Sequence, residues 1–326
     1  MSLEFKAIPD PSAEVISLIE DLTPENPFYT SEYLAVRERL GSRTCGLVLQ
    51  RNGEIVAGCF GAITEGRMNA RMEITSLPVI PDKEAFWRGL FDASRRMGIS
   101  ILSVNTFASM ETTITERQGR LSHKKRSEYR LDLTNPDLWA IMNRRHHRHV
   151  KKAKSRGLSF QRADGQDAIP LHVELTNISL ERHRARGESI DYQISRDEVE
   201  AFIGLGSGEI VRAVRDGEVF SSLLIARSRT GAYAQSSGTS DAGRDIGSSH
   251  FLFHEASCLL KSEGITLFNL GGADEQSTGL KEFKLGLGST RVDLESAEFY
   301  TGSALRRVAT RAAALLKGWP AFPIGV

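Results

Sequence analysis

Apolar residues along this chain fall into short strand-like runs and amphipathic stretches divided by glycine-bearing turns, and one succession of them occurs twice. In the first half "CGLVLQ" leads through "RNGE" to "IVAGCFGAI", then to "ARMEITSLPVI", the helical pattern "DKEAFWRGLFDASRRMG", and "ISILSVNTF". In the second half "EIVRAV" leads through "RDGE" to "VFSSLLIARS", then to "AYAQSSGTS", the helical "SSHFLFHEASCLLKSEG", and "ITLFNLGG". Asn-Gly and Asp-Gly are strong hairpin signals, because both central positions of a type I′ turn need positive φ. Each half therefore reads strand, hairpin, strand, strand, helix, strand. Gly98 and Gly264 stand where a helix-closing glycine is expected, and Gly217 follows Gly53 at nearly the same offset as Gly264 follows Gly98.

This duplication predicts an α/β protein of two similar domains, residues 1–134 and 135–326, and a chain of 326 residues is long for a single core. Between the halves lies "NPDLWAIMNRRHHRHVKKAKSRGLSF". Trp139, Met142, His146, Val150 and Ala153 recur at helical spacing, with Arg144, Arg148, Lys151 and Lys152 mainly on another side. The pattern predicts one amphipathic helix with a basic outer face, started near Asn135-Pro136 and closed by Gly157.

Lys+Arg 42 against Asp+Glu 41 gives a net charge of +1, so contact with a polyanion has to come from a local patch such as this helix rather than from the whole chain. The cysteines, Cys45, Cys59 and Cys258, are scattered and in no C-x-x-C spacing, which favours reduced structural thiols over a disulfide framework or a zinc site. His146 and His149 are roughly a helical turn apart but sit among cations with no acidic partner nearby, so no metal site is expected. The N-terminal "MSLEFKAIPDPSAEVI" lacks a basic segment followed by an apolar core, and no run approaches the length needed to cross a bilayer. A cytoplasmic protein without stable membrane insertion is expected. The C-terminal "SALRRVATRAAALLKGWPAFPIGV" has a basic and an apolar side and reads as a short helix packed on its domain, against the alternative of one that grazes a membrane.

Three segments, "NRRHHRHVKKAKSRGLSF", "SSGTSDAGRDIGSSHFLFHEAS" and "NLGGADEQSTGLKEFKLGLGS", together resemble the FemABX-like transferases and their relatives, and "NPFYTSEYLAVRERLG" is similar to a weaker N-terminal motif of that group. The resemblance implies two tandem GNAT-fold domains with mixed sheets flanked by helices. It implies transfer of an acyl or aminoacyl group to an amine, making an amide, with aminoacyl-tRNA or acyl-CoA as co-substrate and no permanently bound cofactor. The chain lacks a long heptad segment between residues 157 and 205, so the coiled-coil arm of some bridge-forming members is not expected.

By position in that family pattern, Lys284 and Phe283 are expected in the transfer site. A lysine there can follow a phosphate or stabilise charge developing on a carbonyl oxygen. Arg244, Gly247, Ser248 and Ser249 approximate a donor-phosphate loop at a helix N-terminus, against the alternative of a plain serine cap. Among the loop carboxylates Asp241, Asp274, Glu275 and Glu282, Asp274 is the candidate base, against a solvated carboxylate. Arg144, Arg148, Lys151 and Lys152 are expected at tRNA phosphates or simply in solvent, and Arg182, Arg184 and Arg186 at an anionic acceptor or in an exposed loop. The partners so implied are tRNA and a small-molecule or peptide amine, with no DNA. A duplicated binding module with a dead donor pocket is the non-enzymatic alternative.

Overall fold

The computed structural model describes residues 3–66, 70–163, 165–187, 192–273 and 277–302. The first half of the chain forms β1 (Glu4–Pro9), α1 (Ala13–Leu22), α2 (Ser31–Arg39), β2 (Arg43–Arg51), β3 (Glu54–Glu65), β4 (Ala70–Ile74), α3 (Lys83–Arg96), β5 (Ile99–Asn105) and β6 (Arg120–Asp132). The second half forms α4 (Leu138–Ile141), α5 (Arg144–Ser155), β7 (Ser159–Ala163), α6 (Ile169–Ala185), α7 (Arg196–Gly204), β8 (Gly208–Arg215), β9 (Glu218–Arg227) and β10 (Gly231–Thr239). It ends in α8 (Asp241–Ile246), α9 (Ser248–Ser262), β11 (Leu267–Gly272), α10 (Thr278–Gly286) and β12 (Thr290–Tyr300).

The duplication is present in the backbone. The β2–β3 hairpin turns on Asn52 (φ 54°) and Gly53 (φ 89°), the β8–β9 hairpin on Asp216 (φ 53°) and Gly217 (φ 82°), as a type I′ turn requires. In each repeat the strand before the long helix pairs in parallel with the strand after it, β4 with β5 and β10 with β11. The helix between them supplies the crossover that parallel strands need.

Two compact units result, and they interleave in sequence instead of dividing at a single point near residue 135. The first draws on Met1–Thr23, Arg37–Lys125 and Asp293–Val326, the second on Pro24–Val36 and Arg126–Val292. The cause lies in the last strand of each repeat. In the first unit the strand order β1-β2-β3-β4-β5 is completed by β12, antiparallel to β5. In the second, the order β7-β8-β9-β10-β11 is completed by β6, antiparallel to β11. Each repeat thus takes its closing strand from the end of the other.

In the first unit α3 buries Phe86, Trp87, Leu90 and Phe91, and Trp87 and Phe91 close on Phe299 of β12 at ring separations of 5.5 and 5.6 Å. In the second unit alternation along the strands assigns the two faces. Leu223 and Ile225 of β9 join Val211 and Ala213 of β8 under α9 and α5, whereas Ser222 of β9 faces His172 of α6. Segment Pro24–Val36, which carries the first part of the weaker N-terminal motif, belongs to this second unit. Phe28 meets the Tyr233 ring at 5.0 Å and Tyr33 at 5.1 Å, and Thr230 N–H donates to the Pro24 carbonyl.

The basic segment departs from the single helix that its periodicity predicts. It breaks into α4 and α5 at Met142-Asn143, because the Asn143 side chain accepts from His146 N–H as an N-cap while its own N–H donates to the Gly286 carbonyl. Gly157, at φ +77°, follows α5 as expected. The C-terminal segment from residue 303 lies outside the described residues.

Gly238 of β10 marks the closest approach of α6, since a Cβ there would stand 2.2 Å from the Leu175 carbonyl carbon. Gly238→Ala therefore forces α6 away from the sheet and is expected to destabilise the protein by about 1–3 kcal/mol. Urea unfolding measures it, and an unchanged midpoint contradicts this packing.

Candidate active site

The second unit holds a strand fork. Parallel β10 and β11 pair at only three positions, ending at Tyr233 opposite Asn269. Beyond that point β10 carries an irregularity between Ala234 and Ser236, and β11 shifts register against β6 between Asn269 and Gly272. Parallel strands that stop pairing leave backbone donors and acceptors that need other partners. Near its end β11 turns through Gly271, at φ +76°, and α10 follows it in the chain.

Lys284 of α10 is brought back to the fork. The residue is 5% exposed, and its Nζ donates to the Gly272 carbonyl at 2.5 Å and lies 5.7 Å from the centre of the Tyr129 ring. Burial pushes the amine down to about 7, against the opposing attraction of Glu128. Glu128 of β6 is fully buried; one carboxylate oxygen accepts from Tyr233 Oη at 3.1 Å, the other from Asn269 Nδ2 at 2.7 Å, with the Arg130 guanidinium at 3.6 Å. Burial, then the Glu128 charge, raises the Tyr233 hydroxyl well above its ordinary value, so it stays protonated and donates.

Phe283, next along α10, packs among rings from α5 and α9. His146 stands 5.3 Å away, His250 5.0 Å and Phe253 5.3 Å, and His250 stacks on His149 at 4.2 Å. Burial first, then the neighbouring histidines and Arg145, holds His146 at about 4 and His250 at about 3, so both are neutral rings at pH 7. Among the described residues no cluster of His, Cys, Asp or Glu is placed to hold a metal ion. Phe283 also lines a cavity of about 400 Å³ with His183, Arg186, Gly187, Ser277, Thr278, Gly279 and Leu280. Lys284 does not line it, since its amine turns toward β11.

The remaining sequence candidates are dispersed around this centre. The stretch read as a donor-phosphate loop is largely helix α8, capped by Ser240 and closed by Gly247 in the left-handed region. Gly247 is pressed against α5, where an added Cβ would meet the His149 carbonyl oxygen at 2.9 Å. Arg244 is exposed beside Asp241, the Ser249 hydroxyl bonds to Thr239 Oγ1 at 2.7 Å, and the Ser248 hydroxyl is buried with no partner among the described residues.

Of the basic set on α5, Lys152 donates to the Asp245 carbonyl at 2.7 Å, tying α5 to α8, and Lys151 lies over Trp139. Arg144 and Arg148 are exposed, with no partner among the described residues. Arg182 is a structural tie, bonding Asp241, Ser179 and the Thr239 carbonyl, and Arg184 reaches the Tyr192 carbonyl. Of the three arginines only Arg186 lines the cavity. Asp274 and Glu275 lie outside the described residues, while Asp241 and Glu282 are exposed carboxylates paired with Arg182 and Arg145.

Residues 142–285 match the family model described as an acetyltransferase (GNAT) domain. This segment is a GNAT acyltransferase domain. The chain around it has the fold of solved tandem GNAT proteins. The crystal structure of FemX is similar with a TM-score of 0.69 at 13% identity, over 90% of this chain and 96% of that one. A tandem GNAT protein from the clavulanic acid biosynthesis pathway gives 0.56 at 14%, over 92% and 100%. The C-terminal domain of a putative lysylphosphatidylglycerol synthetase from Agrobacterium fabrum gives 0.52 at 16%, over 93% and 97%. No curated protein matches the chain in sequence. The resemblance to FemABX-like proteins thus holds at the level of the GNAT fold, and the chain is an N-acyltransferase of that fold.

Sequence reading missed Glu128, Tyr233 and His250. Glu128 stands in the charged run "HKKRSEYRLD", and Tyr233 in a strand otherwise rich in small and polar residues, so neither announces burial. Only the sheet order, which brings β6 beside β11, places them with Lys284.

The neutral histidines give the unit a pH dependence of fixed sign. His172, fully buried between Ser222 Oγ and Ser236 Oγ, is held at about 4 by burial. Unfolded histidine charges near 6.5. Between 6.5 and the folded values the unfolded chain binds more protons, so stability falls as pH falls through this window. The unfolding free energy from urea titrations is expected to drop from pH 7 to pH 4.5 by an amount on the order of a few kcal/mol. In His172→Gln that drop is smaller; an equal drop contradicts the assignment.

Proposed function

We propose that this N-acyltransferase takes an aminoacyl group from aminoacyl-tRNA and passes it to an amine acceptor, forming an amide. The observation that carries the reading is the buried Lys284 amine at the fork of the GNAT domain, 2.5 Å from the Gly272 carbonyl. In this reading a neutral acceptor amine attacks the ester carbonyl of the donor. The new C–N bond forms as the carbonyl oxygen becomes anionic, and the Lys284 ammonium stabilises that charge in a site of low dielectric. The ester C–O bond then breaks, and the proton lost by the amine ends on the ribose hydroxyl that leaves. Lys284 forms no covalent intermediate. Its low pKa lets the amine be part-charged at neutral pH, so it can also share in moving that proton.

The tRNA side of the proposal rests on α5, where Arg144 and Arg148 project without partners among the described residues. It rests as well on α8, which occupies the stretch where an open phosphate loop would serve a coenzyme donor. The acceptor is assigned to the cavity beside Phe283, with Arg186 and His183 facing an anionic group on it. The coenzyme alternative, acyl-CoA bound at Arg244 and the first turn of α9, is favoured by one feature, the absence of a side-chain cap on that helix.

Titration of the purified protein with mixed aminoacyl-tRNA and with acetyl-CoA, each at two salt concentrations, separates the two donors. Salt-sensitive binding of tRNA is expected. The double reversal Arg144→Glu with Arg148→Glu should weaken it at least about tenfold and make the log–log salt slope shallower by about 2. Binding of acetyl-CoA alone, untouched by the reversal, overturns the tRNA reading.

A further inference from the structure

The fork has a peg. Tyr233 and Asn269 are the last residues at which β10 and β11 pair, and the side chains of both donate to one carboxylate, that of Glu128 on β6. From there a chain of contacts runs on to the amine. Asn269 Oδ1 accepts from Gly271 N–H at 2.9 Å, which holds the glycine turn, and the next carbonyl, of Gly272, accepts from Lys284 Nζ. A buried carboxylate is costly unless it is hydrogen-bonded and paired with positive charge. Here the hydrogen bonds come from both strands, and the positive charge comes from Arg130 and Lys284.

We propose that Glu128 is a positioning residue for Lys284: it pins the parting point of β10 and β11 and, through Asn269 and the Gly271–Gly272 turn, fixes the place and the charge of the amine. This rests on the reading of Lys284 as the group that stabilises the oxyanion. Glu128 itself is fully buried and acts only through its neighbours. Among the described residues, these groups stand around the amine and its neighbour Phe283. From β6 come Glu128, Arg130 and the Tyr129 ring, from β10 the protonated Tyr233, and the neutral His146 and His250 stand around the adjoining Phe283. Arg126 acts on the same centre through Tyr233. Glu128 is the carboxylate that favours the charged amine, against the burial that opposes it.

Glu128→Gln separates charge from shape, because an amide can still accept from Asn269 and meet the Tyr233 hydroxyl. Two readouts are taken on the full chain. The first follows the Lys284 Cε resonance in protein carrying 13C-lysine, assigned by its loss in Lys284→Met, and needs no substrate. The titration midpoint is expected to fall by about 1 pH unit or more in Glu128→Gln. An unchanged midpoint in a folded variant overturns the proposal. The second is transfer from whichever donor the titrations select. Its alkaline limb should move to lower pH by the same amount, with kcat lowered and KM little changed, and Glu128→Asp should recover part of it. A KM effect with an unmoved pH profile also overturns the proposal, since it points to a merely structural carboxylate. If Glu128→Gln does not fold, Asn269→Asp and Tyr233→Phe test the same peg from its two partners: Tyr233→Phe must move the Lys284 midpoint, and failure to do so contradicts the assignment. If the midpoint moves but Lys284→Ala transfers normally, the positioning holds and the oxyanion reading fails.

Discussion

A lysine amine and a carboxylate buried together where two parallel strands part are the constraint around which the second unit is arranged. Neither group can be removed from water alone without a penalty of several kcal/mol. Their partners are therefore drawn from every neighbouring element: Tyr233 from β10, Asn269 and the Gly272 carbonyl from β11, Arg130 from β6. The ladder between β10 and β11 ends at Tyr233 and Asn269, the two residues whose side chains hold this carboxylate.

The same constraint explains why the chain interleaves. Glu128 reaches the fork only because β6, the closing strand of the first repeat, is spent on the second unit, while β12 returns to complete the first. A repeat that kept its own last strand would put a different side chain beside β11. Phe28 of the N-terminal segment, itself packed on Tyr33, lies against the Tyr233 ring, so residues remote in sequence meet at one ring and one carboxylate.

Much of the fold is legible in the sequence, for physical reasons that are local. Asn52-Gly53 and Asp216-Gly217 encode their hairpins through positive φ, and Gly98 and Gly264 end their helices in the same way. The Phe-Lys pair and the glycines after β11 mark the segment that returns to the fork. What is not legible depends on partners remote in sequence. The break at Asn143 is fixed by the Gly286 carbonyl, the exchange of β6 and β12 leaves no trace in periodicity, and the burial of Glu128 is invisible in a run of lysines and arginines. The stretch read as a phosphate loop folds largely as helix for a related reason: Ser240 caps α8 there, and Gly247 at its end lies against α5.

The account turns on Lys284 acting at the reacting carbonyl of the transferred group. The most direct measurement is the rate of amide formation, from aminoacyl-tRNA to a simple amine such as hydroxylamine, by the wild-type protein and by Lys284→Ala checked for native unfolding behaviour. A loss of about 100-fold or more in kcat, with donor binding retained, is the predicted result. Wild-type turnover in the folded variant contradicts the account.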